Sequence, residues 1–189
     1  MNKAIFLDKD GTLIPDIPYN VDPDKITLSN NSIEGLNLLV NDGYQLIVVS
    51  NQSGIARGYF TEEQFTAVIR RIYELLNEKG IALGDFYYCP HHPEGQDPEY
   101  AINCDCRKPM PGMLIRAAEE HQLDLSQCWM IGDILNDIEA GTKAGCRTIL
   151  INNGNETEWL ERPCRIPTYQ CETINKAAMF IHNHNLIDV

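Results

Sequence analysis

The chain has 189 residues, 43% of them hydrophobic and 22% charged, with a formal net charge of −12. That length and balance fit one globular domain with its own core and exclude a disordered chain. The acidic charge argues against nucleic acid or an anionic membrane as a general partner, while a locally positive site can still take a small anionic substrate.

Lys3 to Leu7 (K-A-I-F-L) reads as a short buried strand, and Asp8-Lys9-Asp10-Gly11-Thr12 as the polar loop that ends it. Leu13 to Asp24, rich in Pro and Asp, is a loop or small flap. Ser32 is placed to cap a helix to about Asp42, with Ile33, Leu36, Leu39 and Val40 on one face and Gly43 as its stop. Tyr44 to Val49 is a second strand, closed by Ser50-Asn51-Gln52-Ser53-Gly54. Thr61 opens T-E-E-Q, a capping box, before an amphipathic helix to about Lys79. Asp85 to Cys89 is a third strand, followed by an irregular stretch rich in Cys, His and Pro as far as Pro111. Gly112 to His121 is a helix, Cys128 to Ile131 a strand closed by Gly132-Asp133, Asp137 to Ala144 a helix, and Thr148 to Ile151 a fifth strand. A last helix runs from Thr173 to about His184.

Strands alternating with helices predict an α/β fold, a Rossmann-like, mostly parallel sheet with helices on both faces. No segment is long enough for a large cap domain, and residues 1–189 read as one domain. No run is apolar over the roughly 18 residues that a membrane helix needs. No export signal is visible, and seven Cys in no even ladder point to a reducing compartment, so a cytoplasmic monomer is expected.

In such a sheet the ligand lies beyond the carboxyl ends of the strands. Three of those ends carry Asp8/Asp10, Ser50/Asn51 and Asp133. Two carboxylates aimed at one buried spot call for a hard, oxygen-preferring cation such as Mg²⁺. Phosphoryl transfer needs a nucleophile, an acid for the leaving oxygen and positive charge around the transferred group. Asp8 suits the nucleophile and Asp10 the general acid and base. Asp8, the Asp10 backbone carbonyl and Asp133 suit Mg²⁺, and Ser50, Asn51 and Lys108 suit the phosphoryl oxygens. The plainer use of D-x-D-G-T is a turn or capping pair.

Cys89, His91, Cys104 and Cys106 form C-x-H, a gap of twelve residues, then C-x-C. Three thiolates and an imidazole suit tetrahedral Zn²⁺ with no open position, a structural site pinning residues 89–106. Buried free thiols or a disulfide are the other readings, and His92 competes with His91 as the ligand.

In order, D-K-D-G-T at Asp8–Thr12, S-N at Ser50–Asn51, K-P at Lys108–Pro109 and G-D-x-x-x-D at Gly132–Asp137 resemble the four motifs of the haloacid dehalogenase (HAD) superfamily phosphatases. The resemblance spans nearly the whole chain. It implies a HAD-type fold, an Asp nucleophile and Mg²⁺ dependence. The segment C-P-H-H-P…C-D-C-R-K-P looks like that of the heptose bisphosphate phosphatases and the related histidinol-phosphate phosphatases. N-Q-S-G-I-A-R-G at Asn51–Gly58 and the long Cys89–Cys106 segment resemble the former. By that resemblance the substrate is a phosphorylated sugar, and Arg107 and Lys108 contact it together with Asp16, Tyr19, Ser50, Asn51, Gln52 and Ser53. Arg57 is a further candidate for a remote phosphate, and a surface ion pair is the plainer use of Arg107. The chain departs from the family pattern at Ile134, where these enzymes carry Lys after the metal-binding Asp.

Overall fold

The computed structural model describes residues 2–160 and 162–187. In chain order it contains β1 (Lys3–Leu7), α1 (Ile33–Asn41), β2 (Tyr44–Asn51), α2 (Ser53–Ala56), α3 (Glu62–Asn77) and β3 (Asp85–Cys89). There follow α4 (Gly112–His121), β4 (Trp129–Gly132), α5 (Leu135–Ala144), β5 (Arg147–Ile151), β6 (Tyr169–Cys171) and α6 (Ile174–Ile187). All strand pairings are parallel, in the order β3-β2-β1-β4-β5-β6. This is the doubly wound arrangement expected from the alternation of strands and helices.

Alternate residues of each strand serve opposite faces of the sheet. Ile5 and Leu7 of β1 join a core with Leu36 and Leu39 of α1, Phe65 and Ile72 of α3, and Ile181 of α6. Ala4 and Phe6 face the other way, toward Met113 and Leu114 of α4 and Ala140 of α5. Because helices cover both faces, the central strands read as unbroken apolar runs rather than as alternation.

The capping box of α3 forms as expected: Gln64 N–H donates to Thr61 Oγ1 at 3.2 Å, and Thr61 N–H donates to Gln64 Oε1 at 2.9 Å. Ser32 precedes α1 but its hydroxyl donates back to Ser29 O at 2.6 Å instead of accepting from the helix. A sixth strand, β6, lies at the sheet edge; Tyr169 and Gln170 are exposed and only Cys171 is buried, so no apolar run marks it. Among the described residues no helix is long and apolar enough to cross a membrane.

Candidate active site

Parallel pairing puts every strand's carboxyl end on one rim. Asp8 follows β1, and its N–H donates to Ile131 O at 2.9 Å, which carries the β1–β4 pairing to the last turn. Asp133, which follows β4, is thereby its neighbour. Between them Gly11 turns the chain at a φ of +78°; a Cβ there would lie 2.1 Å from Asp133 Oδ2.

Lys108 is a hundred residues from Asp8 in sequence, yet its Nζ reaches Asp8 Oδ1 at 2.5 Å, Asp137 Oδ1 at 2.7 Å and Val49 O at 2.8 Å. Asn51 fixes the backbone of that lysine: its Nδ2 donates to Lys108 O at 2.9 Å, and its Oδ1 accepts from Lys108 N at 3.0 Å. A single side chain at the end of β2 thus aims a cation from an irregular segment. Asp137 is the residue that the motif reading quoted without assigning a role. It lies in the first turn of α5, where its Oδ2 accepts from Ile134 N at 3.2 Å.

Asp8, Asp133 and Asp137 are all buried, with carboxylate oxygens within 4.8 Å of one another. One ammonium meets three carboxylates, so the pocket holds an excess of negative charge. Burial pushes the Asp8 carboxyl well above its ordinary range against the pull of Lys108, and the surrounding acids add to the rise. Burial, then the Asp137 charge, pushes Asp133 up to about 7. Burial works to lower Lys108, but Asp137 and Asp8 outweigh it and hold the ammonium above its ordinary value. A buried, oxygen-lined, over-negative pocket is the environment a hard divalent cation neutralises. The residues present therefore fit Mg²⁺.

The Asp10 carboxylate is not part of that cluster. Its Oδ1 pairs with the buried Lys9 Nζ at 2.6 Å and its Oδ2 accepts from Gln52 Nε2 at 3.1 Å. A cavity of about 190 Å³ opens over Asp8, Lys108 and Asp133. It shares Asp10, Asp16 and Asn51 with an adjoining cleft of about 250 Å³ that runs out to Tyr19, Gln52 and Ser53. Of the residues expected to meet substrate, Ser50, Arg57 and Arg107 line neither space, and Ser50 is buried, its Oγ accepting from Gln52 Nε2 at 2.8 Å. Arg57 Nη2 lies 3.1 Å from His92 Nε2, and Arg57 Nε is buried with no hydrogen-bond partner. Arg107 Nη1 donates to His91 O at 3.4 Å; burial pulls this guanidinium below its ordinary value, and the nearby Arg57 charge adds to that.

The second cluster closes beside β3. Cys106 Sγ lies 3.0 Å from Cys89 Sγ and 3.3 Å from Cys104 Sγ, and Cys89 and Cys104 are 3.5 Å apart. His91 Nδ1 completes it, 3.3 Å from Cys106 Sγ and 3.7 Å from Cys89 Sγ. A tetrahedral ion with sulfur ligands at about 2.3 Å sets S···S separations of about 3.8 Å, so four such groups can close on one metal. His92 turns away, its Nδ1 accepting from Glu94 N at 3.1 Å, and of the two histidines it is His91 that stands with the three thiols. All seven cysteines are free of disulfides.

Comparison with known proteins places these features in company. Residues 105–177 match the family model described as HAD-hydrolase-like. The chain is 46% identical to the D-glycero-beta-D-manno-heptose-1,7-bisphosphate 7-phosphatase of Pasteurella multocida, over 82% of this chain and 84% of that protein. It is 41% identical to the protein of the same name from Escherichia coli K12, over 80% of each. Its fold superposes with a TM-score of 0.82 on the D,D-heptose 1,7-bisphosphate phosphatase of B. bronchiseptica complexed with magnesium and phosphate, at 28% identity over 97% of this chain and 99% of that one.

Proposed function

We propose a specific phosphatase reaction on one premise: the chain belongs to the heptose-1,7-bisphosphate 7-phosphatase family of HAD-like hydrolases. The reaction is hydrolysis of the C7 phosphate of D-glycero-D-manno-heptose 1,7-bisphosphate, leaving heptose 1-phosphate. One observation carries it: the buried Lys108 joins Asp8 to Asp137 at the carboxyl end of the sheet, beside Asp133.

The bond from Lys108 takes Asp8 Oδ1 and leaves Oδ2 to attack phosphorus. As the phosphorus bond to the sugar oxygen breaks, Asp10 donates its proton to that oxygen. Asp10 then takes a proton from water, the water oxygen attacks the aspartyl-phosphate, and inorganic phosphate leaves with Asp8 restored. Lys108 offsets charge on the phosphoryl oxygens throughout, held in register by Asn51 and Asp137. Mg²⁺, held by Asp8, Asp133 and the Asp10 backbone carbonyl, supplies positive charge that lets a carboxylate approach a phosphate dianion.

The cleft past Asp16 and Tyr19 takes the sugar, and Arg57 and Arg107 take the distal phosphate. The unpartnered Arg57 Nε supports that assignment, because a guanidinium fork offers paired donors to a phosphate. Cys89, His91, Cys104 and Cys106 hold a structural Zn²⁺, with no position left for a reacting water. The chain acts as one catalytic unit, monomeric and cytoplasmic, in keeping with its free cysteines.

Phosphate release from heptose 1,7-bisphosphate and from histidinol phosphate, each with Mg²⁺, tests the assignment. Phosphorus NMR is expected to show the C7 signal of the bisphosphate lost first, with turnover faster than for histidinol phosphate. Faster hydrolysis of histidinol phosphate would overturn it.

A further inference from the structure

The loop after β5, which no motif covers, reaches across the rim and touches the cation pocket. Asn155 Nδ2 donates to Asp133 Oδ2 at 2.6 Å, while Asp133 Oδ1 accepts from the Thr12 hydroxyl at a longer 3.4 Å. Asn153 holds the loop in place: its Nδ2 donates to Gly11 O at 2.7 Å, and its Oδ1 accepts from Asn155 N at 3.2 Å. Glu156 Oε2 accepts from Leu135 N at 2.5 Å, at the start of α5. Three side chains of one loop therefore tie together the segments that carry Asp8 and Asp133. The space they use exists because residue 11 is glycine: a Cβ there would stand 2.4 Å from Asn155 Nδ2.

We propose that Asn155 is a positioning residue for divalent-cation binding, locking the Asp133 carboxylate in one orientation before the ion arrives. The proposal rests on the Mg²⁺ reading given above. A neutral amide is suited to this. It satisfies one oxygen without cancelling the charge that the ion needs, whereas a cationic side chain in its place would compete with the ion. With no donor there, the longer Thr12 contact would be left to hold the Asp133 side chain against the charges of Asp8 and Asp137. The neighbouring residue Ile134 is apolar and offers no substitute donor. Asn155 lines the same cavity as Asp8, Lys108 and Asp133, so the contact sits at the ion's own pocket and not behind it.

The test is a Mg²⁺ titration of the substrate-free full chain, reading affinity from the rise in thermal midpoint with ion concentration. Asn155→Ala and Asn155→Ser, whose short side chains cannot span to Asp133, are expected to bind Mg²⁺ about 10–100-fold more weakly. Their midpoints without metal should stay within a few degrees of the parent, because the side chain lies on an exposed loop. Either folded variant with parental Mg²⁺ affinity overturns the proposal and leaves Asn155 a loop tie. A parent chain that binds no Mg²⁺ overturns it by a different route, since the failure then lies in the underlying reading and shows in the parent itself.

Discussion

At the scale of single residues, the site is a problem of excess negative charge. Lys108 is the sole ammonium among the described residues to touch Asp8 and Asp137, and both are buried with it. Removing one partner of a buried ion pair leaves the others uncompensated, at a cost of about 3–5 kcal/mol. Lys108→Met is therefore expected to lower metal-free stability by about that amount, read from the denaturant midpoint, and to abolish phosphate release. Asp8 and Asp133 carry a second consequence. Both carboxyls have folded-state values above their unfolded ones, Asp133 at about 7. For such a group the native state binds the extra proton, so the contribution of Asp133 to stability falls as pH rises from about 4 to about 7, and Asp8 acts in the same direction. A cation displaces that proton and benefits from the charge left behind. The rise in thermal midpoint produced by a fixed Mg²⁺ concentration is thus expected to be larger at pH 8 than at pH 5.5. An equal rise at both values would show that these carboxyls do not share the ion.

At the scale of elements, the stretch between β3 and α4 has no regular structure over residues 90–111, yet it delivers Arg107 and Lys108 to the rim. The thiol and imidazole cluster lies at its base, with Cys106 two residues before Lys108, and under the zinc proposal that cluster anchors it. Further along, the N–H groups of Gln96 and Asp97 donate to Ala56 O at 2.7 and 3.0 Å, docking the loop on α2. Chelation of the proposed Zn²⁺ is expected to raise hydrogen exchange across residues 90–107 while leaving β1 and β4 protected, and to lower turnover because Lys108 loses its frame. Unchanged exchange after the metal is removed would show that packing alone holds the loop. Asn51 belongs at this scale too: the last residue of β2 spends both ends of its amide on the backbone of Lys108, a task its expected contact with substrate did not foresee.

At the scale of the whole molecule, the central strands were legible because they are apolar on both faces, as with Phe6 and Leu7, and the polar residues that end them fall on one rim by topology. The parallel sheet with helices on both faces follows from that alternation, and the structure and relatives bear it out. Less legible was whatever depends on distance between segments. The pairing of Lys108 with Asp137, the contact of Asp10 with Gln52, and the reach of Asn155 to Asp133 have no local spacing to announce them. β6 escaped notice for the opposite reason, since three residues, two of them exposed, carry no period. Burial is complete in the same middle strands, from Ala4 to Leu7 and from Trp129 to Ile131. Trp129, fully buried in β4, meets Phe180 of α6 with ring centroids 6.0 Å apart. Trp129→Ala is expected to cost about 3–5 kcal/mol in urea unfolding, a loss typical of a large buried ring. The strand order has a further outcome. β2, β1 and β4 are adjacent in the sheet and carry Asn51, Asp8 and Asp133 at their carboxyl ends, whereas the segments just beyond Asp16 and between His91 and Cys104 lie outside the strands and helices. Under laboratory selection for a bulkier substrate, substitutions and length changes should accumulate in those segments, and the middle of the sheet should stay unaltered while the repertoire of accepted sugars widens.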